Sequence, residues 1–180
     1  SVGSELVFVN GHYSRELSSP RPLPKGVKVG TLATALSTDR ELVEPHLSRY
    51  AGTQDHPFVA LNTAFMEDGA FLYLPKGKVI EEPIHLLFIS TARKEATVSY
   101  PRNLIVAEGG SQATILESYM GLEKGVYFTN AVTEIVVGEN AGIDHYKLQR
   151  ESEEAFHIAT LQVQQGRSSR FSSHSIGWGG

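Results

Sequence analysis

Seven histidines, a scatter of carboxylates and no cysteine make up the reactive inventory of this chain. Without cysteine the chain has no disulfide, no thiolate zinc site and no thiolate of its own for a cluster. The histidines of interest are His145, in Asp144-His145-Tyr146-Lys147-Leu148-Gln149, and His157, in Ala155-Phe156-His157-Ile158, 12 residues on. Imidazole suits iron and its neighbours in the first transition row. If the two rings lie side by side on neighbouring strands they form a weak metal site, with hydrogen-bonded structural histidines as the plain alternative. Period-two alternation puts Asp144, Tyr146 and Leu148 on one face and His145, Lys147 and Gln149 on the other. Leu148 marks the first face as the inward one. The expectation for His145 is therefore a surface ladder of polar side chains.

Other constellations are incomplete. His174 lies in Ser172-Ser173-His174-Ser175, but a hydrolytic triad also needs an acid behind the histidine and an oxyanion hole, and no Gly-x-Ser-x-Gly elbow is present. Glu134, Glu139 and Asp144 are carboxylates near a corner. As an acid/base pair they would fit a carbohydrate-active β-helix enzyme. As turn residues they face solvent, which is the reading preferred here. The glycine pairs at Gly109-Gly110 and Gly138 to Gly142 lack the Lys-Ser/Thr and following helix of a phosphate loop.

The elements that carry these residues are mostly short strands. From Phe58 onward, β-rich segments follow one another: Phe58–Phe65, Ala70–Leu74, Ile84–Ser90, Ala96–Tyr100, Leu104–Ala107, Ala113–Tyr119, Val126–Val137, Ile143–Leu148, Phe156–Val163 and Arg170–Ile176. Ile105-Val106-Ala107-Glu108-Gly109-Gly110 is echoed 31 residues later by Val136-Val137-Gly138-Glu139-Asn140-Ala141, and more weakly by Phe71 to Gly77. A strand running into the same small-residue corner at a fixed interval is the signature of stacked rungs. An antiparallel sandwich remains open on pattern alone. Asn62, Gly109, Asn130, Glu139, Asn140 and Gln149 are expected at corners or in ladders between rungs. The first 55 residues differ: a hairpin at Asn10-Gly11, alternating prolines at 20, 22 and 24, and short helices at Thr31–Leu36 and after Thr38, where Glu41 has capping-box spacing.

The run Phe58-Val59-Ala60-Leu61-Asn62-Thr63-Ala64-Phe65, then Asp68-Gly69, Pro75-Lys76-Gly77, Glu82-Pro83-Ile84, Pro101-Arg102 and Glu108-Gly109, resembles the SufB/SufD family of iron–sulfur cluster assembly scaffolds. Phe128-Thr129-Asn130, Glu134, Glu139-Asn140-Ala141, His145 to Gln149 and Phe156-His157-Ile158 continue in family order. The opening Phe8-Val9-Asn10-Gly11 fits too, and His145-Tyr146 with Leu148-Gln149 is closer to the SufD branch. The resemblance implies a right-handed parallel β-helix over 56–180, cut at its C-terminal end, after an N-terminal segment of 1–55. It implies a non-catalytic scaffold that pairs with SufB and the ATPase SufC. No cofactor is expected on the chain itself, the cluster being assembled with the partner subunit.

Bulk properties agree. Net charge is −4 and no long basic run is present, so neither nucleic acid nor an anionic membrane is expected as partner. The start Ser1 to Glu5 lacks the features of a signal peptide. A cytoplasmic setting is expected, or a plastid in a plant. A solenoid cut in mid-stack exposes an unpaired edge, so a homodimer is the expected state.

Overall fold

The computed structural model describes residues 3–54, 56–91, 96–122 and 124–178. In chain order the elements are β1 (Glu5–Val9), β2 (His12–Ser19), β3 (Lys28–Thr31), α1 (Leu32–Thr38), α2 (Arg40–Val43), α3 (Pro57–Phe65), β4 (Ala70–Leu74), β5 (Ile84–Ser90), β6 (Thr97–Ser99), β7 (Arg102–Ala107), β8 (Gln112–Gly121), β9 (Tyr127–Val137), β10 (Gly142–Arg150), β11 (Phe156–Gln165) and β12 (Arg170–Trp178). The strands form two sheets. One runs β12-β10-β8-β5-β1-β2; the other runs β11-β9-β7-β4-β3, with β6 also on β9.

The strands from β4 onward pair in parallel, and the chain alternates between the sheets, as a β-solenoid of about three turns requires. Gln112 stands opposite Gly142, and Gly142 opposite Arg170. The corners foreseen from the sequence echo stack on one another. Gly77 N–H donates to Gly109 O at 2.9 Å, Gly110 N–H to Glu139 O at 2.8 Å and Asn140 N–H to Arg167 O at 3.0 Å. Each corner holds one residue in the left-handed region: Gly77 at φ 73°, Gly110 at 71°, Asn140 at 57° and Ser168 at 56°. Glycine and asparagine tolerate that conformation, which explains their place in the echo.

The N-terminal segment is joined to the same sheets. Its hairpin turn uses Asn10 and Gly11, both at positive φ, which matches the strand twist. β1 then pairs in parallel with β5, and β3 pairs antiparallel with β4. Thr31 caps α1 by accepting the Thr34 N–H. The capping box expected at Thr38 and Glu41 does not form. Thr38 Oγ1 donates back to Thr34 O instead, and α2 starts from Asp39 without a side-chain cap.

Phe58–Phe65 is a helix, not the strand expected. Pro57 occupies its first turn, where a missing N–H costs nothing. A short apolar run fits either period; the i, i+3 pair Val59 and Asn62 forms the buried side here. Val59 packs with Ala51 and Val132, seating α3 on the outside of β9.

The lumen holds the main core: Leu72, Leu74, Ile84, Leu86, Ile105, Ile115, Ile135, Val137 and Ile143 are all buried. Phe8, Phe88 and Tyr119 stack across β1, β5 and β8 with ring centroids 5.0 and 4.9 Å apart. No helix among the described residues is long and apolar enough to cross a membrane.

Candidate functional site

The lumen changes character along the stack. In the columns set by strand register, Leu86 of β5 is followed by Glu117 of β8 and Lys147 of β10. Ile84 is followed by Ile115 and then His145, and Phe88 by Tyr119 and then Gln149. Positions filled by aliphatic and aromatic side chains on one rung hold ionisable and amide groups two rungs later.

Glu117 sits at the centre, with only 3% of its surface exposed. A buried carboxylate is costly unless its lone pairs are met. His145 Nε2 donates to Oε2 at 2.8 Å, the Tyr119 hydroxyl donates to Oε1, and Thr133 Oγ1 lies 3.2 Å from Oε1. An ionised carboxylate only accepts, so His145 Nε2 carries a proton. Its Nδ1 faces Ser173 Oγ at 3.1 Å. Burial pushes the Glu117 pKa up, but the His145 hydrogen bond and charge, Tyr119 and Lys147 outweigh it and hold the group below its ordinary value. Burial and the Glu117 charge drive Tyr119 well up, so it stays a neutral donor. Burial pushes Lys147 down; its ammonium lies 5.4 Å from the Tyr119 ring centre.

His145 is therefore luminal and 2% exposed, which corrects the surface ladder expected for it. The outer face of this sheet also carries apolar groups, Tyr146 and Leu148 among them, so Leu148 was no marker of the interior. Both His145 nitrogens are engaged, and it is not paired with His157. The His157 ring instead meets Tyr119 edge-on at 4.5 Å and Glu151 at 3.0 Å. Among the described residues no three His, Cys, Asp or Glu groups converge as a metal site.

A second buried node lies outside the lumen. Arg102 and Glu134 are both fully buried, with Nη2 donating to Oε2 at 2.9 Å. The Glu134 carboxylate also accepts the backbone N–H groups of Ser48, Tyr50 and Ala51 at 2.9–3.0 Å. Arg102 Nη1 donates to Asn62 Oδ1 and Thr63 Oγ1 of α3. Glu134 is thus no solvent-facing turn residue; it clamps the N-terminal segment to β9. Asn62 and Asn130 are not at corners. Asn62, on α3, donates to Pro101 O and Asn130 O, and Asn130, in mid-strand, donates to Phe58 O. Gly109, Glu139 and Asn140 lie at the stacked corners. Gln149, one residue before the end of β10, lies in the lumen and donates to Glu151.

The carboxylates weighed as an acid/base pair do not converge. Glu134 is sealed under the N-terminal segment, Glu139 is exposed at a corner, and Asp144 accepts from Arg170 and Ser172 on the outer face. On the same outer face Glu5, His85 and Ser118 form a Glu–His–Ser bridge at 2.7 and 2.8 Å. Ser118 lies in a strand paired on both sides, so its neighbouring N–H groups serve the ladder and cannot form an oxyanion hole. The bridge ties three strands together.

Two family profiles match the chain end to end. Residues 2–86 match the SufBD protein N-terminal region, and residues 88–180 match the SufBD core domain of SUF-system FeS cluster assembly. The chain belongs to the SufBD family. An iron-sulfur cluster assembly SufBD family protein of Synechocystis is 36% identical over 93% of this chain and 39% of its own length. The chloroplastic protein ABCI7 of Arabidopsis thaliana is 32% identical over 98% of this chain and 38% of its own. The iron-sulfur cluster assembly protein SufD of Bacillus subtilis is 32% identical over 67% and 28% respectively. The chain thus spans about two fifths or less of the length of these SufBD relatives. The boundary between the two SufBD regions falls in β5, within one continuous sheet.

Proposed function

We propose that this chain acts in iron–sulfur cluster assembly as the SufD-type scaffold subunit of a SUF complex, pairing with SufB and the ATPase SufC and catalysing no step itself. The observation that carries the reading is the match to both SufBD regions in succession, with the SufD of Bacillus subtilis among the relatives. The absence of cysteine fits it: thiolates for a nascent cluster would come from the partner subunit. In this reading ATP-driven movement of SufC is passed through the solenoid to SufB. A stiff body suits that task, and the clamp at Arg102 and Glu134 makes the N-terminal segment part of it.

The setting proposed is the bacterial cytoplasm, or a plastid in a plant, as the chloroplastic relative would allow. Homodimerisation of the isolated chain is proposed alongside, through β11 and β12, which each have a neighbour on one side only. Sedimentation at rising concentration tests it; a monomer throughout contradicts it. The scaffold role is tested by cluster reconstitution with SufB and SufC from the same source. Leaving this protein out should lower the yield of iron and sulfide bound to SufB. Equal yield without it overturns the reading.

A further inference from the structure

The end of β10 and the start of β11 are joined by a short corner that brings Glu151 and His157 together. Their side chains are 6% and 4% exposed. His157 Nδ1 lies 3.0 Å from Glu151 Oε2, yet neither ring nitrogen makes a hydrogen bond. Buried polar groups are almost always paired, and a buried imidazole without a well-aligned hydrogen bond at either nitrogen costs free energy that a bound ligand would return.

The geometry says which ligand. A nitrogen and an oxygen close together, with the proton line of neither directed at the other, are placed as two adjacent ligands of one ion. Donors held at ~2.1 Å from a metal stand roughly 3.0 Å apart at right angles and roughly 3.4 Å apart at the tetrahedral angle, and the observed spacing lies at the lower end. We propose that Glu151 and His157 bind one divalent transition-metal ion at the 151–155 corner, a site separate from the Glu117–His145 cluster.

Three further features support it. Gln149 Nε2 donates to Glu151 Oε2 at 2.8 Å and so orients the carboxylate, as outer partners of metal ligands do. Tyr119 stands edge-on to the His157 ring and fixes its plane. A cavity of about 340 Å³, lined by Glu151, His157, Gln149, Glu153 and Trp178 among others, gives an ion and its waters a way in. Lys147 is the opposing charge nearby, and Glu117 and Glu151 both act on it. Among the described residues no third His, Cys, Asp or Glu converges, so in this proposal the remaining positions fall to water. An imidazole–carboxylate pair selects iron(II), cobalt(II) or zinc(II) over soft ions that need sulfur. A site with two protein ligands holds its ion loosely enough to release it. That the ion in the cell is iron(II) rests on the function proposed above; the site itself rests on its own geometry.

The test uses cobalt(II) as the probe, followed by its visible absorption and by equilibrium dialysis with metal analysis. The protein should take up one cobalt per chain. Glu151→Gln and His157→Gln should each weaken binding by about tenfold or more, while His12→Ala, an exposed histidine far along the chain, should not. Circular dichroism establishes that each variant is folded; if His157→Gln is not, Glu151→Gln alone decides. No uptake by the protein, or uptake that the folded variants leave unchanged, overturns the proposal. A failure to pair with SufB and SufC would remove the scaffold reading and leave this result standing.

Discussion

Arg102 Nη2 meets Glu134 Oε2 at 2.9 Å, and neither side chain is exposed at all. The pair joins neighbouring rungs, β7 to β9, and both partners reach outward to the N-terminal segment. Breaking a buried pair leaves one charge uncompensated, at about 3–5 kcal/mol. Glu134→Ala and Arg102→Ala should each lower the unfolding free energy by that order, read as a fall in the urea midpoint at unchanged slope. Glu134→Gln should cost less, because its amide oxygen still accepts backbone N–H groups. Equal midpoints for wild type and Glu134→Ala would remove the clamp from the account.

Asn62 tests the same attachment from the helix side. Its amide donates to Pro101 O and Asn130 O, and its oxygen accepts from Arg102. Asn62→Ala removes three hydrogen bonds, but Arg102 Nη1 keeps Thr63 Oγ1 and Pro101 O keeps the Val132 N–H, so the cost is about 0.5–1.5 kcal/mol per lost bond. Hydrogen exchange should accelerate in α3 ahead of β7 and β9. Uniform acceleration across the chain would contradict a local clamp.

The luminal cluster predicts an acid limb. Glu117 is held below its ordinary value of 4.5 in the folded state. Its stabilising contribution is then fully present above that value and is lost as pH falls through the folded pKa. Wild type should lose stability relative to Glu117→Gln as pH drops below 4.5, with little change in the difference above it. A difference that stays flat down through the acid range would mean that Glu117 carries no charge in the fold.

Glycine positions separate packing from conformation. A Cβ on Gly138 would lie 2.8 Å from Gly109 N and 2.9 Å from Ala107 O, both backbone atoms of the rung below. A Cβ on Gly30 would meet nothing within 4 Å. Gly138→Ala should therefore cost about 1–3 kcal/mol through overpacking, whereas Gly30→Ala should be neutral or stabilising by about 0.4–1 kcal/mol. Thermal melts of the two variants make the comparison.

The solenoid was readable in the sequence because its corners repeat a physical demand. One residue per corner must adopt positive φ, and Gly77, Gly110 and Asn140 supply it at matching places. The helix at Pro57–Phe65 was not readable, since the eight residues Phe58–Phe65 satisfy strand and helix alike until something packs on one side. The luminal site was half legible. Ala113, Ile115, Glu117 and Tyr119 share a face by alternation, which could have placed Glu117 inside. His145 was misplaced because both faces of β10 carry apolar residues, Ile143 inward and Leu148 outward, so pattern alone cannot orient the strand. Arg102 and Glu134 lie 32 residues apart and find each other only through the rung register.

The most direct test of the scaffold assignment is co-purification of this protein, tagged, with untagged SufB and SufC from the same source. The account predicts a complex that survives gel filtration with all three proteins present. Recovery of the folded protein alone, with SufB and SufC pairing normally without it, would contradict the account.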